Sequence, residues 1–113
     1  MQRHFARQLI KHQSHNKTER YWRDLVYDFV DQIPPASVCT YGEIAEYLGL
    51  TPRMVGFAMR NCPTDLPWHR VVASGGRIAI AQRSPELAQL QLQRLTDEGV
   101  IIKNLRVMMP ERV

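Results

Sequence analysis

The stretch that decides the fold is "TYGEIAEYLGLTPRMVGFAMRNCP", residues 40–63. Its first two polar residues, Thr40 and Glu43, stand at capping-box spacing, where each side chain bonds the other's backbone amide. The spacing predicts a helix over Tyr41–Leu48. Gly49 supplies the residue at which such a helix ends, because glycine adopts the left-handed conformation without strain.

A second helix is predicted immediately afterwards. Thr51 is a suitable N-cap, and Pro52 fits the first helical position, where no amide proton is needed. Two short helices joined by a brief turn indicate a helix-turn-helix. Arg53 follows at the exposed first turn, where the helix dipole disfavours a cation, and this placement favours a role in ligand binding.

The flanking segments predict the rest of the domain. Apolar residues recur at helical spacing in "TERYWRDLVYDFVDQIPP" (18–35), and the two prolines end that helix. The run "RVVASGGRIAI" (70–80) predicts a small hairpin, or wing, around Ser-Gly-Gly. A last helix spans "SPELAQLQLQRLTDEG" (84–99), and "VIIKNLRVMM" (100–109) is a short strand or an extended tail. The fold class is therefore mainly α, a winged helix-turn-helix with a short β-hairpin.

Composition limits the function classes. The 113 residues, 44% of them hydrophobic, fit one globular domain. No apolar run is long enough to span a bilayer, and no signal peptide is recognisable. Cys39 and Cys62 form no CxxC motif, which favours a reducing cytoplasm and argues against zinc. We expect a cytoplasmic protein, nucleoid-associated in a bacterium, with no membrane partner.

Charge is distributed unevenly. Residues 1–17 hold four basic residues and no acid, and we expect them to form a basic N-terminal extension outside a domain at 18–113. Residues 18–46 hold two arginines against six acids, and residues 47–94 hold six arginines against two acids. This pattern is typical of nucleic-acid binders, although a solvated basic surface gives the same numbers. The extension either adds DNA contacts or is a flexible tail.

The stretch "LPWHRVVASGG" (66–76) narrows the general pattern of a nucleic-acid binder to a particular kind of protein. With residues 40–63, it resembles the active-site half of the O6-alkylguanine-DNA alkyltransferases, over about Tyr21 to Glu98. In those proteins the cysteine of "PCHRV" takes the alkyl group from a flipped guanine. Trp68 stands in that cysteine's place. The "PWHRV" form is similar to the alkyltransferase-like proteins, which bind alkylated guanine without repairing it.

The resemblance implies roles for individual residues. Arg53 matches the arginine that fills the space left by the flipped base, and Tyr41 matches the tyrosine that helps to rotate the nucleotide. The expected lesion pocket comprises Asn61, Pro67, Trp68, His69, Arg70, Val71, Val72, Arg83 and Glu98. The expected DNA-binding residues are Thr40, Tyr41, Arg53, Met54, Gly56, Ala58 and Arg60, with Val55 on the same helix face. Whether Arg77 or Arg83 contacts the base stays open.

The chemistry of residue 68 agrees with a protein that binds without reacting. Dealkylation needs a thiolate or a comparably soft nucleophile, and indole is not one. His69 and Glu98 match the family's activating base and its orienting partner, and Arg70 is equally a candidate for a structural ion pair. Two alternatives are an alkyltransferase that uses Cys62 and a regulator that reads sequence in the major groove.

The resemblance therefore implies a DNA damage sensor rather than an enzyme. Such a protein binds double-stranded DNA containing O6-alkylguanine in the minor groove and flips the base into a pocket. It then passes the lesion to the damage-recognition proteins of nucleotide excision repair. We expect a monomer, with no cofactor and no metal.

Overall fold

The computed structural model describes residues 21–108, with every side chain in that range except those of Ala81 and Gln82. The basic extension predicted for residues 1–17 lies outside the described residues, so that prediction is untested. Within 21–108 the chain has four α-helices and two small two-stranded sheets. The mainly helical prediction is confirmed. No helix of this part of the chain is long and apolar enough to cross a membrane.

The elements follow one another with short connections. In chain order they are α1 (Trp22–Asp31), β1 (Cys39–Thr40), α2 (Tyr41–Leu48), α3 (Pro52–Arg60), a 3-10 turn (Trp68–Arg70), β2 (Val71–Val72), 3-10 turns at Ser74–Gly76 and Ala79–Gln82, α4 (Pro85–Asp97), β3 (Ile102–Lys103) and β4 (Arg106–Val107).

The helix-turn-helix forms as its local signals predict. The Thr40 hydroxyl accepts from the Glu43 amide at 3.1 Å, and the Glu43 carboxylate accepts from the Thr40 amide at 2.9 Å. Gly49 ends α2 at φ +72°, a conformation that residues with a side chain rarely adopt. The Thr51 hydroxyl accepts from the Met54 amide at 3.2 Å and so caps α3. These bonds satisfy amides that a helix start leaves unpaired.

Two apolar clusters hold the helices together. The first lies between α1, α2 and α3, and its largest fully buried members are Phe29, Ile33 and Ile44. The second packs under α4 and includes Val72, Ile78, Ala88, Leu95 and Val107. Cys39 is buried in the first cluster, where it acts as a small apolar residue.

The predicted position of the hairpin is wrong. Val71–Val72 pairs in parallel with Cys39–Thr40. After the Ser74–Gly76 turn, Arg77 forms an antiparallel bridge with Arg106 and not with the valine pair. The antiparallel hairpin lies instead at Ile102–Lys103 with Arg106–Val107. Its two turn residues have φ values of +54° and +59°, as a tight hairpin turn requires. The error arose because the valine pair is bonded to a strand about thirty residues earlier, which no local pattern reveals.

Candidate nucleic-acid interface and its pocket

A groove of about 720 Å³ runs along the exposed face of α3. Its other wall is the Ala79–Gln82 turn with Arg83. The described residues that line it include three arginines and no acid: Tyr41, Pro52, Arg53, Gly56, Phe57, Arg60, Ala79, Ile80 and Arg83. A concave, exclusively cationic surface of this kind attracts a polyanion.

Four of the predicted DNA-binding residues line this groove. Arg53 and Arg60 are exposed at the two ends of α3, and Gly56 lies between them with its Cα facing the Tyr41 ring. Burial raises the pKa of Tyr41, while nearby Arg83, Arg77 and Arg60 act in the opposite direction. Tyr41 is therefore a neutral phenol at the base of a cationic groove.

The other predicted contacts on this face are placed differently. Ala58 is fully buried in the first cluster, as is Val55, so neither side chain can contact DNA. Helical periodicity turns these two positions toward α1, and the prediction for Ala58 is wrong for that reason. The Thr40 hydroxyl is engaged in the helix cap, and Met54 is half-buried outside the groove lining.

A small cavity opens from the groove beneath Tyr41. Its volume is about 30 Å³, and it shares Tyr41, Ala79, Ile80 and Arg83 with the groove. Trp68 and Val71 form its inner wall, and Met59 and Gln91 complete it. The predicted pocket residues Trp68, Val71 and Arg83 are thus brought together. A cavity of this size holds little more than a water molecule.

Trp68 is fixed from two sides. The Arg94 guanidinium lies 5.6 Å from the centre of the indole ring, and the His69 ring meets the indole edge-on at 6.3 Å between centroids. A cation over an aromatic face is attracted by the ring's quadrupole. Arg94, on α4, therefore helps to orient Trp68 from outside the cavity.

His69 and Arg70 bind Glu98 instead of lining the cavity. Glu98 accepts from Arg70 at 2.7 Å and contacts the His69 Nε2 atom at 2.8 Å. It also accepts from the Ala36 amide at 2.9 Å, and Arg70 donates to the Ile33 carbonyl at 2.7 Å. This carboxylate joins the Trp68–Arg70 turn to the end of α4 and to the loop after α1. The expectation of a structural ion pair for Arg70 is confirmed.

Glu98 is ionised at any physiological pH. Partial burial raises its pKa, but hydrogen bonds from Arg70, His69 and the Ala36 amide outweigh that effect and lower it from 4.5 to about 2. The other ring nitrogen of His69, Nδ1, is buried and has no hydrogen-bond partner among the described residues. The histidine–carboxylate pair is thus intact beside an indole.

The remaining predicted pocket residues do not line the cavity. Val72 is buried in the second cluster, away from the cavity, so its predicted lining role is wrong. Asn61 ends α3, where its side chain donates to the Phe57 carbonyl at 3.3 Å. The Tyr27 hydroxyl donates to the Ala58 carbonyl at 2.8 Å and contacts the Asn61 carbonyl. Pro67 stands directly before the Trp68–Arg70 turn.

Sequence reasoning missed Gln91. It is buried, it lines the cavity, and its amide donates to the His69 and Val71 carbonyls at 3.1 Å each. The available signal was its spacing with Ala88 and Leu95, which places a polar residue on the buried face of α4. Phe57, Met59, Ala79, Ile80 and Arg94 were also missed.

Residues 22–100 match the family of the 6-O-methylguanine DNA methyltransferase DNA-binding domain. The chain belongs to this methyltransferase family. Its relatives include alkyltransferase-like protein 1 of Schizosaccharomyces pombe, which is 47% identical over 68% of this chain and 74% of that protein. A DNA base-flipping protein of Vibrio parahaemolyticus is 37% identical over 71% of this chain and 81% of that protein.

The fold agrees with a solved member of the methyltransferase family. S. pombe Atl1, crystallised with damaged DNA containing O6-carboxymethylguanine, matches with a TM-score of 0.67 and 41% identity. The match covers 76% of this chain and 84% of that one. The fold-class prediction and the suspected family are therefore confirmed.

Some relatives of the chain are named methylated-DNA–protein-cysteine methyltransferases, so the reactivity of Cys62 bears on whether this protein could transfer an alkyl group. Burial raises the pKa of its thiol to about 11, and the nearby Asp65 carboxylate acts in the same direction. A thiol with this pKa is almost entirely protonated at neutral pH and is a poor nucleophile. Cys62 lies in the turn after α3 and is not among the residues that line the cavity.

Proposed function

We propose that this protein binds O6-alkylguanine in double-stranded DNA, turns the base into the cavity beside Trp68, and leaves the alkyl group in place. The observation that carries the proposal is the position of Trp68. It forms the inner wall of the cavity next to an intact His69–Glu98 pair, where the resemblance puts a reactive cysteine. The relative bound to O6-carboxymethylguanine DNA supports the same ligand class.

Duplex DNA would occupy the groove along α3. Arg60 and Arg83 would neutralise phosphates, and the small Gly56 would let the helix approach the minor groove closely. Arg53, at the exposed start of α3, would enter the space that the flipped base leaves. Tyr41, between groove and cavity, would turn the nucleotide.

The flipped base requires a larger cavity than the present one. A volume of about 30 Å³ is far below that of a guanine, so base entry must enlarge the cavity. Trp68 then gives the base an apolar wall for stacking. Alkylation turns the strongly accepting O6 carbonyl of guanine into a weakly accepting ether, so an alkylated base loses less hydrogen-bonding energy than guanine does beside an indole. Its weaker pairing also lowers the cost of flipping.

The protein is proposed to be non-catalytic. Indole cannot accept an alkyl group as a thiolate does, and the raised pKa of Cys62 keeps that thiol protonated. No cofactor is proposed. In the described part of the chain, no group of three or more acidic, histidine or cysteine residues could hold a metal ion.

A lesion that is bound but not repaired must be passed on. We propose that the monomeric complex hands O6-alkylguanine to the damage-recognition proteins of nucleotide excision repair. Deleting the gene should sensitise cells to an O6-alkylating agent when excision repair is active and should add nothing when it is disabled. Equal sensitisation in both backgrounds would contradict this step.

The binding step is tested by titration at fixed salt. One duplex carries a single O6-methylguanine, and the matched duplex carries guanine. We expect tighter binding to the lesion, with the methyl group recovered on the DNA and no mass gain on the protein. Methyl transfer to Cys62 would make the protein an enzyme, and equal affinity for both duplexes would favour a sequence-reading regulator.

A further inference from the structure

Phe57 is an exposed aromatic residue on the cationic groove. It lies four residues after Arg53 and three before Arg60, so the three side chains share one face of α3. All three line the groove, and the Phe57 side chain is 47% exposed. A partner bound in the groove would cover this ring and bury its apolar surface.

The ring is already held in position. Trp22, at the start of α1, contacts it with 6.1 Å between ring centroids and a tilt of 43°. Trp22 itself packs against the first core cluster, and the Arg23 guanidinium lies 5.8 Å from the centre of its ring. A ring supported in this way loses little conformational entropy when it contacts a partner.

We propose that Phe57 is a DNA-contact residue whose ring packs against the deoxyribose wall of the minor groove. This inference rests on the proposed function, because it takes duplex DNA as the occupant of the groove. Arg53 and Arg60 lie about 6 Å and about 4.5 Å from Phe57 along the helix axis. On one side of the ring the Arg60 guanidinium contacts a phosphate, and on the other Arg53 enters the duplex. Phe57 meets the apolar sugars between them.

The support from Trp22 also decides how deep the ring reaches. Because the ring leans against Trp22, it is assigned to the wall of the minor groove and not to the space between base pairs. Apolar wedges that unstack base steps need a fully projecting side chain. Phe57 therefore contributes to every complex with duplex DNA, whether or not the DNA carries a lesion.

This role makes a distinctive prediction about salt. Apolar contact with sugars releases no counterions, whereas each arginine–phosphate contact contributes about 0.9 to the slope of log K against log salt. We expect Phe57→Ala to weaken binding to the lesion and guanine duplexes by the same factor, about fivefold, with the slope unchanged. Phe57→Leu should retain most of the affinity.

The experiment is a titration of each duplex at four salt concentrations. It compares wild type, Phe57→Ala, Phe57→Leu, Arg60→Ala and Leu87→Ala. Leu87 is similarly exposed, at 41%, and lies outside the groove lining, so Leu87→Ala controls for loss of exposed apolar surface. Arg60→Ala should reduce the slope by about 0.9. Circular dichroism confirms that each variant is folded.

Each other outcome has a definite meaning. Unchanged affinity of Phe57→Ala overturns the contact. A loss confined to the lesion duplex shows a role in flipping, and a reduced slope shows an effect through the arginines; both overturn the sugar-wall assignment. If wild type binds neither duplex, the proposed function fails, and this inference fails with it. If wild type prefers the lesion but Phe57→Ala equals wild type, only this inference fails.

Discussion

The helix-turn-helix and the Trp68 side of the pocket differ in the sequence separation of the residues whose hydrogen bonds stabilise them. In α2 and α3, each helix start is capped by a bond that spans three residues. The Trp68–Arg70 turn is held by Gln91 and Glu98, which are 22 and 29 residues away from His69. Local bonds define where the two DNA-facing helices begin, whereas the Trp68–Arg70 turn depends on the docking of α4.

The largest effect in this comparison is expected at Glu98. Glu98→Gln removes the charge that holds Arg70 and His69, and it should lower the free energy of unfolding by about 3 kcal/mol. Urea denaturation measures the loss. Its neighbour Asp97 is a matched control, because it is exposed and accepts a hydrogen bond from the exposed Gln93. Equal losses of unfolding free energy for Asp97→Asn and Glu98→Gln would contradict a special role for Glu98 in holding the Trp68–Arg70 turn.

The same carboxylate predicts a pH dependence. Because its pKa in the folded protein is about 2 against an ordinary 4.5, the stabilisation is complete above about pH 4.5 and declines as pH falls toward 2. The stability gap between wild type and Glu98→Gln should therefore narrow over this range. Denaturation midpoints at pH 6, 4 and 3 measure it. A constant gap would show that Glu98 acts by packing alone.

A smaller effect is expected at Gln91. Gln91→Met keeps the volume but removes the donor to the His69 and Val71 carbonyls, which should cost about 2 kcal/mol. Because the loss loosens the wall beside Trp68, preference for the lesion duplex should fall more than affinity for undamaged DNA. Gln93→Met, on the exposed face of α4, is the control. Equal loss for both duplexes would mean that Gln91 only stabilises the fold.

The smallest effect is expected in the locally stabilised half. Thr51→Ala removes the N-cap of α3 and should cost about 1 kcal/mol. Ser84→Ala removes the corresponding cap of α4 and should cost about the same. Only Thr51→Ala should also weaken binding to undamaged duplex DNA, because α3 carries Arg53 and Arg60. Equal DNA affinities for the two variants would show that α3 is not part of the DNA interface.

The correct predictions concern features with local causes, and most of the incorrect ones concern contacts between residues that are distant in the sequence. Caps, helix ends and the Arg53 position were readable because their causes lie within a few residues. The hairpin at 70–80 was wrong because Val71–Val72 pairs with Cys39–Thr40 across the fold. Ala58 was misplaced because the side of α3 that packs on α1 is decided by tertiary contacts. Gln91 was missed because it belongs to no motif, and Phe57 was missed because the family resemblance assigns its position no role.

By itself, the sequence determined the helical elements, the cationic character of the α3 face and the absence of a thiol at position 68. These follow from local hydrogen-bonding geometry, from net charge and from the chemistry of one side chain. The tertiary structure alone decided that His69 and Arg70 share Glu98, that Gln91 holds the pocket wall, and that Phe57 rests on Trp22. Each joins residues separated by more than twenty positions, whose distance only the packed helices fix.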